Sequence, residues 1–119
     1  MTKAEFLNRV NSGINIFEGI DLGNLDLRNE NLSGLKFTNC FISSDFRNSN
    51  LSKTNFIRSN VKTSDFRNAD LSYGLMQNVS FESTRFKGSN TTGFIFIDNY
   101  CYSSEEIGQS DFENWIKET

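Results

Sequence analysis

The chain has 119 residues, room for one domain, with 36% hydrophobic residues, 12 phenylalanines and a net charge of −3. It contains no histidine, which excludes a Ser-His-Asp arrangement, and the lack of a basic excess argues against direct nucleic-acid binding. No long apolar run or secretory h-region is visible, so a soluble, cytoplasmic protein without a membrane partner is expected.

Thr2-Lys3-Ala4-Glu5 reads as a capping box, with Thr2 as N-cap and Glu5 reaching back. Phe6, Leu7 and Val10 then share a helical face, and Gly13 suits a C-cap. The pattern predicts a short helix over 3–11 that covers one end of whatever follows.

From Ile14 the chain repeats itself. DLRNENLSGL starts at Asp26, DFRNSNLSKT at Asp45, DFRNADLSYG at Asp65 and RFKGSNTTGF at Arg85, with steps of 45 − 26 = 19, 65 − 45 = 20 and 85 − 65 = 20. A fixed period of this size signals a solenoid. Inside it lies a period of five: Phe17, Leu22, Leu27, Leu32 and Phe37, then Phe46, Leu51, Phe56, Val61, Phe66, Leu71, Met76, Phe81, Phe86, Thr91 and Phe96. The phase slips by one around Cys40, Phe41 and Ile42. Five matches neither a helix face nor strand alternation, but it fits a chain that turns a corner every five residues. The sequence has no proline, as expected where each coil must pair its backbone with the next.

Each unit reads small, Asp/Asn, Leu/Phe, polar, polar. In an extended segment residues i and i−2 share a face, so the large and the small residue point inward and Asp/Asn points out. Stacked coils then form four inner columns: Leu27, Phe46, Phe66, Phe86; Leu32, Leu51, Leu71, Thr91; Phe37, Phe56, Met76, Phe96; and Ile42, Val61, Phe81, Cys101. Outside the first column, Arg28, Arg47, Arg67 and Lys87 form a basic ladder beside an acidic one of Asp26, Asp45 and Asp65 that ends at Arg85. Such rows read either as offsetting surface ion pairs or as a stripe that grips acidic groups on a partner. Phe41, Ile57, Tyr73, Ile97, Tyr100 and Tyr102 fall at outward positions, which suggests an interface, strongest at Ile97, Tyr100 and Tyr102.

After Tyr102 the composition changes. Residues 104–108 read as one helical turn, and Ser110-Asp111-Phe112-Glu113 as a second capping box opening a helix over 111–118. Phe112, Trp115 and Ile116 share its inner face, so Trp115 either packs against the last coil or meets a partner or second subunit. Cys40 and Cys101 stand on one side about three coils apart, roughly 4.8 Å per coil, too far for a disulfide; both read as buried thiols. Asp45 and Asp65 come close but on a convex, wet surface, and Gly74, Gly88 and Gly93 read as isolated turn glycines, not a phosphate loop. Neither catalytic, metal-binding nor cofactor-binding residues are expected.

Ala69-Asp70-Leu71-Ser72-Tyr73 matches A(D/N)LXX, the motif of the pentapeptide-repeat family, which the chain resembles from about Ile14 to Tyr102. The departure lies at the small position, where Ser and Thr mostly replace Ala, and Leu25, Glu30 and Leu35 are larger still. The resemblance implies an all-β solenoid, a right-handed quadrilateral β-helix of about four coils. Its expected division is an N-terminal capping helix at 1–13, the β-helix at 14–102 and a C-terminal helical cap at 103–119. It also implies action by binding: a protein-binding module that shields or neutralises a partner, as an immunity protein does a toxin. Some relatives instead mimic duplex DNA and bind DNA gyrase or topoisomerase IV, and a plain scaffold is a third possibility. Against mimicry stand the short chain, the small net charge, the interrupting Arg/Lys ladder and a charged tail. The expected partner is therefore a protein, toxin or topoisomerase-like, and the chain itself a monomer or weak homodimer. The candidate interface residues are Arg28, Arg47, Arg67, Lys87, Asp45, Asp65, Ile57, Tyr73, Ile97, Tyr100, Tyr102 and Trp115.

Overall fold

Five three-residue strands stack in parallel up one side of the molecule: β1 (Ile16–Glu18), β2 (Lys36–Thr38), β3 (Asn55–Ile57), β4 (Leu75–Gln77) and β5 (Ile95–Ile97). The computed structural model describes residues 1–101 and 105–118. Phe17 pairs with Phe37, Phe37 with Phe56, Phe56 with Met76 and Met76 with Phe96, so each coil returns after 20, 19, 20 and 20 residues. Isolated parallel bridges continue the stacking on three further sides, through Asp21–Phe41–Asn60–Ser80–Tyr100, Asp26–Asp45–Asp65–Arg85 and Asn31–Asn50–Asp70–Asn90. The result is a four-sided parallel β-solenoid of about four coils, with α1 (Lys3–Asn11) at one end and α2 (Gln109–Trp115) at the other.

The corners explain the two polar letters of each unit. Among the described residues, the second residue after every inward centre except Ile42 adopts positive φ, with six Asn among the twelve non-glycine cases and Gly19, Gly34, Gly88 and Gly93 at equivalent corners. Asn and Gly tolerate this left-handed region best. The Asp or Asn before each centre has a task the sequence pattern did not reveal. Its side-chain oxygen accepts the N–H two residues on, as in Asp70 to Ser72 at 2.9 Å, Asn60 to Lys62 at 2.9 Å and Asn50 to Ser52 at 3.0 Å. These Asx turns hold the corners shut.

The one-residue slip lies at the corner between Ile42 and Phe46, which lacks a left-handed residue of its own. Ser43 and Ser44 are both buried there. The Asn24 N–H donates to the Ser43 carbonyl at 2.6 Å, and the Ser43 and Thr63 hydroxyls meet at 2.6 Å.

Eleven of the twelve phenylalanines are buried, Phe41 being the exception. This resolves the low hydrophobic fraction: a narrow column needs few large residues per coil, each stabilising by roughly 1.5–3 kcal/mol. Phe46, Phe66 and Phe86 stack with centroids 5.0 and 5.2 Å apart, and Phe17, Phe37 and Phe56 at 5.5 and 5.2 Å. Thr91 and Cys101, expected inside, are only half-buried, because their columns end near the last coil. Cys40 is buried, with Sγ 3.3 Å from the Thr38 carbonyl, and burial pushes its thiol pKa up.

The small inward positions account for Ser and Thr in place of Ala. Thr54 is buried and donates to the Leu32 carbonyl at 2.8 Å, Thr84 to Val61 at 3.0 Å, and the Ser59 hydroxyl accepts from the Cys40 N–H at 3.1 Å. These hydroxyls tie one coil to its neighbour in the core, where an unpaired backbone group would be costly. Gly74 occupies the same inward position, and a Cβ there would stand 2.6 Å from the Thr54 carbonyl oxygen. Gly74 is thus a close-approach residue, not a turn glycine. Leu35 fits the same column fully buried.

Both ends carry a phenylalanine plug. On α1, Phe6 sits 5.1 Å from Phe17 and 6.1 Å from Phe37, ring to ring. The Thr2 side chain accepts from the Glu5 N–H at 3.2 Å, and Gly13 closes the helix with φ of 95°. At the other end, Phe112 of α2 stacks on Phe96 at 4.2 Å and meets Phe86 edge-on at 5.1 Å.

The C-terminal segment departs from the sequence reading. Glu105–Ile107 is not a helical turn but a strand, β7, antiparallel to β6 (Asn99–Cys101). The helix starts at Gln109 with Gly108 as N-cap and no side-chain capping bond, so Ser110 lies within it. Tertiary pairing explains the shift. The Gln109 side chain accepts from the Phe96 N–H at 2.7 Å and donates to the Phe94 carbonyl at 3.2 Å. It thereby stands in for the next strand along the open edge of β5, which otherwise invites another chain.

Candidate interaction surfaces

Two sides of the solenoid carry most of the candidate residues. On the first, each Asp holds the Arg two residues later through its carboxylate. Arg28 and Asp26 meet at 2.8 Å, Arg47 and Asp45 at 2.7 Å, and Arg67 and Asp65 at 2.7 Å. Each pair is bidentate, with Nε also within 3.0 Å of an aspartate oxygen. The pairs are linked between coils, Arg28 Nε lying 3.8 Å from Asp45 and Arg47 Nε 3.7 Å from Asp65. The two sequence ladders therefore merge into one alternating ionic zipper.

The zipper sets the protonation of its members. The Arg28 guanidinium holds the Asp26 carboxyl far below the usual carboxylate range. The Arg47 side chain lowers Asp45. At Asp65 burial pushes upward, but the bonds from Arg67 and the charges of Arg67 and Arg47 leave the carboxyl lowered. Asp45 and Asp65 are thus locked carboxylates, unsuited to acid–base work. Among the described residues, shallow depressions lie beside Ser43 and Thr63 and beside Cys40 and Arg58. Among the described residues no cluster of His, Cys, Asp or Glu is placed to hold a metal, and no helix is long and apolar enough to cross a membrane.

The other side is the outer face of β1–β5. Its centres point inward, so the flanking residues point out. In register these are Ile16, Lys36, Asn55, Leu75 and Ile95 on one flank, and Glu18, Thr38, Ile57, Gln77 and Ile97 on the other. Apolar residues gather on β3–β5: Ile57 and Leu75 are half-buried, while Ile95 and Ile97 are 52% and 43% exposed. Tyr73, 63% exposed, leads into β4 and lies against Gly93, where a Cβ would come within 2.5 Å of its ring.

The structure thus places Ile57 and Ile97 on the same flank of the sheet, with Gln77 between them, and Tyr73 at the corner that enters β4. Tyr100 stands on the neighbouring side in the column of Phe41, three coils from it and separated by Asn60 and Ser80. Tyr102 lies outside the described residues. Trp115 is half-buried, its ring 5.5 Å from Phe86 and 5.7 Å from Phe81, and helps close the last coil. Sequence reading missed Leu75, Ile95 and Ile16. Their signal was an apolar residue where the pattern puts Asp or Asn, as in the run Ile95-Phe96-Ile97.

Residues 41–72 match the model of the family described as pentapeptide repeats, in eight copies. Three solved structures share the fold. One is HetL, a pentapeptide repeat protein involved in heterocyst differentiation regulation in the cyanobacterium Nostoc. It is 19% identical with a TM-score of 0.50, over 83% of this chain and 44% of that one. Another is a pentapeptide repeat protein of the Arabidopsis thaliana thylakoid lumen, 10% identical with a TM-score of 0.61, over 89% and 77%. The third is QnrB1, a plasmid-mediated fluoroquinolone resistance protein, 15% identical with a TM-score of 0.53, over 71% and 63%. The chain spans less than two thirds of HetL and of QnrB1. No curated protein matches it.

Proposed function

We propose that the chain is a member of the pentapeptide-repeat family, whose model matches residues 41–72, and that it is a non-catalytic module that binds a protein partner and shields or neutralises it, as an immunity protein does a toxin. The observation that carries this reading is the apolar surface on β3–β5. Leu75, Ile95 and Ile97 are neighbours on the outer face of β4 and β5, Ile57 stands on β3 with Gln77 between it and Ile97, and exposed Tyr73 stands at the corner that enters β4. Aromatic and aliphatic residues at the centre of a surface patch are the anchors of protein interfaces. A preformed sheet also loses little conformational freedom on binding. The protein is read as cytoplasmic, and as a monomer or weak homodimer.

The test is rescue. Expression of the protein should protect cells from a toxin encoded beside its gene, and Tyr73→Asn with Ile97→Thr should remove that protection while the protein stays folded. Rescue from no neighbouring toxin, or rescue undiminished in the double variant, would overturn the reading.

A second reading, a modulator of DNA gyrase or topoisomerase IV, draws support from the fold shared with the fluoroquinolone resistance protein. Imitation of duplex DNA needs a row of bare negative charges. Here Asp26, Asp45 and Asp65 are each engaged by an arginine, which weighs against it. Inhibition of gyrase supercoiling by the purified protein, or protection of gyrase from a quinolone, would reverse this preference.

A further inference from the structure

We propose that Arg67, Arg85 and Lys87 form a docking point for side-chain carboxylates on an acidic segment of the partner protein; this rests on the protein-binding reading and adds the partner's chemistry to it. The argument comes from the point where the zipper breaks its own rule. In the lower coils each guanidinium meets two aspartates, its own and the next coil's: Arg28 has Asp26 at 2.8 Å and Asp45 at 3.8 Å, and Arg47 has Asp45 at 2.7 Å and Asp65 at 3.7 Å. Arg67 has Asp65 at 2.7 Å. The register position beyond Asp65, where the next aspartate belongs, is Arg85. Lys87 follows in the row of Arg28, Arg47 and Arg67.

Arg85 and Lys87 are both exposed, and no carboxylate among the described residues pairs with either. Neighbouring coils lie about 4.8 Å apart, so three cations crowd one end of an otherwise balanced row. Their mutual repulsion is relieved by an anion.

The lower coils show which anion fits. An aspartate carboxylate occupies the equivalent position beside Arg28 and again beside Arg47, and the guanidinium fork matches carboxylate geometry. A nucleic acid is disfavoured, because its run of phosphates would lie along Asp65, Asp45 and Asp26 in a chain of net charge −3. The docking point lies on the first side and the apolar surface on the third, so the two can be tested apart.

The experiment is fluorescence anisotropy at low salt with a labelled hexaglutamate peptide, a Gly-Ser peptide of equal length and a single-stranded oligothymidylate. Hexaglutamate should bind best. Arg85→Gln should weaken it about tenfold, whereas Arg9→Gln, an equal charge change on α1, should not. Arg85→Asp, which continues the zipper by one coil, should abolish binding without lowering the thermal midpoint. Equal effects of Arg85→Gln and Arg9→Gln would mean diffuse attraction and overturn the proposal. Hexaglutamate binding no better than Gly-Ser, or tighter oligothymidylate binding, would do the same. The Tyr73→Asn, Ile97→Thr protein should still bind hexaglutamate. Loss of rescue with intact peptide binding therefore indicts the apolar surface, and the converse indicts the docking point.

Discussion

The ionic side and the sheet side of this solenoid are built on the same coil yet leave different business unfinished. On the first side, Asp26, Asp45 and Asp65 satisfy their corners and their arginines together, so that the charges below Arg85 and Lys87 find their partners within the chain. On the third, the backbone is satisfied by strand pairing but Ile95, Ile97 and Tyr73 keep apolar surface in water. A repeat that needs only its inward letters for folding leaves its outward letters open to selection for other purposes. Where those letters answer one another, as in the zipper, they need no partner; where they do not, a partner is the natural complement.

The largest effect should come from the column both sides share. Phe66 is fully buried between Phe46 and Phe86, with centroids 5.0 and 5.2 Å away. Phe66→Ala should cost about 3–5 kcal/mol, read as a lower denaturant midpoint. An unmoved midpoint would mean that the column does not carry the fold.

Next comes the inner row of hydroxyls, which binds coil to coil beneath the surface. Thr54→Val keeps the shape but leaves the Leu32 carbonyl, now 2.8 Å from the hydroxyl, without its donor. The loss should be about 1–3 kcal/mol, again by chemical denaturation. A neutral outcome would make these serines and threonines mere small residues.

Acid should weaken the ionic side selectively. The carboxyls of Asp26, Asp45 and Asp65 are lowered in the folded protein. Their stabilisation is therefore complete above the unfolded aspartate pKa of about 3.9, and is lost as pH falls through the depressed folded values. The thermal midpoint should hold from neutrality to about pH 5 and fall below about pH 4. Asp45→Asn keeps an oxygen for the Arg47 N–H but removes one charge, so its decline should be shallower. An equal decline would place the acid sensitivity elsewhere. Exposure and screening keep this effect smaller than that of Thr54→Val.

Much of this contrast is legible in the sequence, and the parts that are not have physical reasons. The five-residue period assigns Phe46, Phe56 and Phe66 inward because an inward position admits few alternatives. The Asp and Arg rows follow from alignment of the repeats alone. What alignment does not show is that Asp45 binds Arg47 within its own coil, since that depends on how the corner aims both side chains. The local letters of Glu105–Ile107 favour a helical turn, whereas pairing with β6 makes the segment a strand. Ile95 went unnoticed because the motif leads one to expect a polar residue before each centre, and a departure outside the core has no folding consequence to announce it.

That last point yields the smallest predicted effect on folding. Ile95 lies on the last of the five parallel strands, half exposed, with its neighbours Leu75 and Ile97 on the same outer face. Ile95→Thr keeps the β-branch that suits a strand and removes only surface apolar area. Its stability change should stay within about 0.5 kcal/mol, whereas protection against the partner should fall well beyond what that loss explains. If instead Ile95→Thr unfolds the last coil, the isoleucine belongs to the fold, and the sheet side is then no more open than the ionic one.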